Sequence, residues 1–60
     1  MLRALPKDPF ILLSFINTKL RDNYRSLDQL CDDLEADKNQ LVATLASIGY
    51  VYDPTQNKFI

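Results

Sequence analysis

Residues 26–41 read SLDQLCDDLEADKNQL and contain two helix starts. Ser26 has Gln29 three residues later, and Asp37 has Gln40 at the same spacing; each pair matches a capping box, which satisfies backbone N–H groups at a helix N-terminus. The spacing predicts a helix over 27–35, a tight turn at Glu35-Ala36-Asp37 and a further helix over 38–48. Leu27, Leu30, Cys31 and Leu34 fall at i, i+3, i+4 and i+7, one apolar face that must be buried. Leu41, Leu45 and Ile48 form the inward stripe of the next helix, and the lone glycine, Gly49, stands where a left-handed C-cap is needed.

Upstream, Asp8 followed by Pro9 has the form of an N-cap with proline at the first helical position, so a helix is expected over 9–23. Downstream, Tyr50-Val51-Tyr52 and Lys58-Phe59-Ile60 flank the turn-forming run Asp53-Pro54-Thr55-Gln56-Asn57, which predicts a β-hairpin over 50–60. The fold class expected is mainly α (α+β): one domain over 1–60, a three-helix winged helix-turn-helix-like body with a C-terminal two-stranded β-hairpin. That architecture hosts many roles and does not by itself assign one.

Nearly the whole chain also resembles a family of small bacterial proteins of about this length classed as a domain of unknown function. The likeness rests on Leu5-Pro6-Lys7-Asp8-Pro9, on Leu12 through Asp22 (LLSFINTKLRD), on Ser26 through Cys31 (SLDQLC), and on Ile48-Gly49-Tyr50 through Tyr52-Asp53-Pro54 to Phe59. The resemblance implies a bacterial, cytoplasmic protein and supplies neither an activity nor a site.

A chain of 60 residues buries only about 60% of the surface that its unfolded form exposes. Its 47% hydrophobic content offsets that handicap. One cysteine and no histidine exclude an internal disulfide, leave no base to activate a thiol and leave zinc without its usual ligands; a reducing cytoplasm is expected. The acidic group Asp32, Asp33, Glu35, Asp37 lacks the spacing of a calcium loop, and a single glycine cannot build a phosphate-cradling loop. No enzyme, cofactor, metal site or small-molecule ligand is therefore expected. The apolar run Phe10–Ile16 is too short to span a bilayer, so no membrane segment is expected.

Two binding readings follow from the helices. With Leu13 at the centre of the buried arc of helix one, Phe10, Leu20 and Tyr24 share its side, whereas Ile11 and Phe15 point away and Leu12 lies between. Apolar residues around most of a surface helix call for a second covering. Ile11, Leu12 and Phe15 are thus the candidate protein interface, covered by another copy in a homodimer, by a larger partner, or by Met1–Pro6 folding back. The alternative is DNA binding, with Lys38, Asn39 and Gln40 reading bases and Arg21 and Arg25 on phosphates. Charge opposes it: the net charge is −1, and Asp32, Asp33, Glu35 and Asp37 surround the turn that would approach the backbone. Residues 1–25 hold five basic side chains against two acidic, and residues 26–60 two against six.

Two readings concern packing. Asn17, within the buried arc, is expected to bond the backbone of a neighbouring element such as the turn or the wing. Tyr50 and Tyr52 share one strand face and Val51 takes the other, so the tyrosines are read as core edge, as Cys31 is read as core.

Overall fold

A computed structural model of the chain describes residues 5–60 as three helices and a hairpin. Helix α1 spans Pro9–Asp22, α2 spans Leu27–Leu34 and α3 spans Lys38–Ala46, followed by β1 at Tyr52–Asp53 and β2 at Lys58–Phe59. The caps are those the sequence encodes. The carboxylate of Asp8 accepts from Phe10 N, Ser26 Oγ from Gln29 N, and Asp37 Oδ1 from Gln40 N. Gln29 reaches back one residue further than a capping box requires, its Oε1 accepting from Arg25 N.

Helix ends are set by main-chain motifs. At the end of α3, Tyr50 N donates to Leu45 O and Gly49 N to Ala46 O, while Gly49 takes φ 87°; this is a Schellman closure with glycine in the left-handed position. The regular helix therefore stops at Ala46, two residues short of the expected Ile48, because its final turn tightens. The same closure ends α2, where Ala36 N donates to Cys31 O and Glu35 N to Asp32 O. There Glu35 occupies the left-handed position at φ 54°, which a side chain with Cβ adopts at a cost of about 1 kcal/mol.

The core is a single cluster: Leu12, Ile16 and Leu20 of α1, Leu27, Leu30, Cys31 and Leu34 of α2, Leu41 and Leu45 of α3, and Phe59 of β2. Each fully buried Leu or Ile contributes roughly 1.5–3 kcal/mol, so this cluster is the main favourable term for so small a body. The face that α1 buries differs from the expected one. Its centre lies on Leu12, Ile16 and Leu20, about 60° around the helix from an arc centred on Leu13 at ~100° per residue. Leu13 is only half-buried, and Phe10, expected inside, is 62% exposed.

The hairpin pairs antiparallel with Tyr52 opposite Phe59 and Asp53 opposite Lys58, and Val51 and Ile60 exchange two further main-chain bonds. Its loop is Pro54–Asn57, one residue shorter than expected because Asp53 joins the strand. Side-chain amides lock it to the helices. Asn17 Nδ2 donates to Phe59 O at 3.1 Å and Asn17 Oδ1 accepts from Phe59 N at 2.8 Å, so the amide bonds the backbone of a neighbouring element as expected, here the hairpin. Asn57, left-handed at φ 56°, donates through Nδ2 to Leu20 O and Tyr24 O, and its Oδ1 accepts from the Tyr52 hydroxyl. That hydroxyl accepts in turn from Leu27 N at the start of α2.

Candidate interaction surface

The residues read as a protein interface divide three ways. Ile11 is 58% exposed on the outer face of α1, as a contact residue must be. Leu12 is 4% exposed in the centre of the core and is removed from any surface. Phe15 is half-buried against the core, with the Lys19 ammonium 5.6 Å from its ring centroid. It acts as the edge of the hydrophobic body, with its ring partly covered by a cation. The correction has one cause: an almost uniformly apolar helix gives no contrast to orient it, and the Asn17–Phe59 pairing selects the face.

The rotation of α1 brings Phe10 out beside Ile11. On the hairpin, Tyr52 and Phe59 face inward, their rings 5.5 Å apart, which turns the neighbouring pair Val51 and Ile60 outward at 59% and 48% exposure. These four are the large apolar side chains exposed among the described residues. Met1–Ala4 lie outside those residues, and with them most of the segment read as able to fold back over α1. Leu5 packs against the core.

The residues read as DNA contacts are at the surface, and two of the three cations among them are held by acids. Lys38 Nζ is 2.6 Å from Asp28 Oδ1. Arg21 binds the Asp22 carboxylate through Nε at 2.8 Å and Nη2 at 3.0 Å. Both pairs are exposed, and the shifts agree in direction: Asp22 is held below the ordinary carboxylate range by its hydrogen bonds to Arg21, and Lys38 is raised by its bond to Asp28. Asn39 and Gln40 are exposed in the first turn of α3, beside the capping carboxylate of Asp37 and the Asp28 that engages Lys38. At that turn the one cation, Lys38, stands with two carboxylates, Asp28 and Asp37, so an approaching phosphate meets more negative charge than positive. Arg25 is exposed just ahead of Ser26.

Two clefts remain. One of about 520 Å³ separates the C-terminal half of α1 from the hairpin loop and is lined by Asn17, Thr18, Arg21, Gln56, Asn57 and Lys58, with no acidic side chain among its walls. The other, about 470 Å³, lies between Leu5-Pro6-Lys7 and the α2–α3 turn, with Glu35 and Asp37 on its wall. Cys31 is buried, and burial pushes its thiol up, away from a nucleophilic thiolate. Among the described residues no group of three or more metal-ligating side chains converges, and no helix is long and apolar enough to cross a membrane.

Sequence reasoning missed Asn57 and the Tyr52 hydroxyl, which join the hairpin loop to α1 and α2. The signal available was an asparagine at the end of a turn, a residue type that tolerates left-handed backbone.

A family model described as Domain of unknown function (DUF4250) matches residues 6–59. No curated protein and no solved structure matches the chain.

Proposed function

The chain belongs to the DUF4250 family, and from its surface we propose that it is a small non-enzymatic module acting in the cytoplasm through protein–protein contacts made by the outward face of α1. The observation that carries this reading is the exposure of Phe10 and Ile11 side by side, 62% and 58%, on a helix whose opposite face already fills the core. This aromatic–aliphatic pair stands outside the buried core cluster, and contiguous apolar surface marks contact sites. The acid pairing of Lys38 and Arg21 weighs against the DNA alternative.

A photo-crosslinking residue placed at Ile11 tests the reading in cells. Irradiation is expected to give a discrete protein adduct from that position and none from Asp32 on α2. Phe10→Asp should abolish the adduct while leaving the far-ultraviolet circular dichroism unchanged, because the side chain touches little of the core. Equal adducts from both positions, or adducts insensitive to Phe10→Asp, refute the reading. Gel shifts at low salt with random duplexes are expected to show no binding.

A further inference from the structure

The hairpin meets the helices along a seam that is only partly packed. Of the ten buried core side chains, nine come from the helices and one, Phe59, from the hairpin. Among the described residues no main-chain bond joins residues 51–60 to a helix; the segment's main-chain bonds run within it. Side chains tie it to the body instead. The Asn17 amide holds both polar groups of Phe59, the Asn57 amide reaches Leu20 O and Tyr24 O, and the Tyr52 hydroxyl accepts from Leu27 N at 3.3 Å. Asn17 and Asn57 also line the cleft of about 520 Å³ between α1 and the hairpin loop. Water therefore reaches the seam, and a hydrogen bond that water can replace contributes less than one that leaves its groups buried when broken.

Each side of the seam is closed on itself. The helices carry their own caps and most of the core. Within the hairpin the rings of Tyr52 and Phe59 lie 5.5 Å apart, and the Tyr52 hydroxyl donates to Asn57 Oδ1. These contacts survive when the two units part. The chain passes between them in one step, for Tyr50 N is fixed to Leu45 O at the end of α3 and Val51 is already bonded to Ile60. A hinge needs only a few element-terminal residues to absorb a change in φ and ψ, and the exposed side chain of Val51 leaves room for it.

We infer that residues 51–60 form a lid. The hairpin swings off the helices as a unit about the Tyr50–Val51 junction while α1, α2 and α3 stay folded, and the swing bares the apolar seat of Phe59 on the helical body. Elements with few buried apolar contacts and accessible hydrogen bonds lie at the low-stability end of a fold, from which moving parts are drawn. The lid is independent of the contact reading of α1 and adds a second apolar surface, present only in the open form.

Native-state hydrogen exchange of the full chain tests it, followed amide by amide in urea below the unfolding transition, where reclosing outruns exchange. Val51, Phe59 and Ile60 report the lid through their bonds to Ile60 O, Asn17 Oδ1 and Val51 O, and Ile16, Leu34 and Leu45 report the helices. The three lid amides are expected to share one opening, at least about tenfold more frequent than that of the helices and less steep in urea because it exposes less surface. Leu41 lines the other cleft, beside the α2–α3 turn. Leu41→Val should speed the helical amides about fourfold and leave the lid amides unchanged, because the open form keeps the core that this change weakens. Asn57→Gly should speed both sets about thirtyfold, since opening and full unfolding both break its bonds. One common rate and urea slope for the two sets in the parent chain, or lid amides that follow the helices in Leu41→Val, overturns the lid. Rapid exchange at Ile60 with Phe59 kept at the helical rate is fraying of Ile60 alone and overturns it equally.

Discussion

Replacing Asn57 by glycine tests what holds the hairpin on the helices. The substitution removes the bonds to Leu20 O in α1 and Tyr24 O just after it, at 3.1 and 3.0 Å, and the 2.6 Å bond from Tyr52, yet keeps a residue that adopts φ 56° without strain. At about 1 kcal/mol net for each bond the loss is about 3 kcal/mol, reduced to about 2 because the site is only part-buried and water re-satisfies some of the freed groups. A chain of this size has roughly 3–9 kcal/mol of stability in total at ~0.05–0.15 kcal/mol per residue. At ~4–8 °C per kcal/mol, Asn57→Gly should lower the unfolding midpoint by about 8–16 °C. Asn57→Ala loses the same bonds and adds about 1 kcal/mol for left-handed backbone, so it must fall below the glycine variant. Thermal and urea unfolding followed by circular dichroism measures both. A midpoint within about 3 °C of the parent for glycine, or alanine as stable as glycine, refutes the reasoning.

Three further outcomes are expected. Gly49→Ala should cost about 1 kcal/mol by urea unfolding, from backbone strain at φ 87° alone, because an added Cβ meets nothing within 4 Å; a much larger loss would reveal a steric role. Cys31 should resist iodoacetamide in the folded protein and react on unfolding. Because burial raises its folded-state pKa, stability should fall as pH climbs past the ordinary thiol value, and Cys31→Ala should remove that slope. Asp53 is held below the usual carboxylate range chiefly by its bond from Gln56, aided by the Thr55 amide, so its contribution is present above the unfolded carboxylate value and lost as pH falls through the folded one. Asp53→Asn should flatten the acid limb of a stability–pH curve, and an unchanged limb would exclude the effect.

The residues that made the fold legible act locally. Asp8, Ser26, Asp37 and Gly49 each bond within a few positions of themselves, so their effect is written in short spacing, and all four sit where they were read. The facing of α1 was not legible, because Phe10, Ile11, Leu12, Leu13, Phe15 and Ile16 offer no polar contrast. Its orientation is decided across the fold, by Asn17 meeting Phe59 forty-two positions away. Asn17 could still be recognised as a buried amide in need of partners. The candidate surface inherits the same limit: Ile11 points outward as read, Leu12 lies in the core and Phe15 at its edge because the arc is rotated, and Phe10 comes to the surface with that rotation. The cleft between Arg21 and Lys58 joins positions too distant in the chain for any spacing rule to connect.

The amide of Asn17 has a consequence for self-association. By occupying the outward N–H and C=O of Phe59, it stands in for a third strand and closes that margin of the ribbon. In the antiparallel ladder the matching groups of Tyr52 point away from β2, so the opposite margin is the one left to extend. Two molecules that joined there would each present only a sealed border to a third. Growth by strand addition through that margin would stop at a pair, because Asn17 seals the other side of each ribbon.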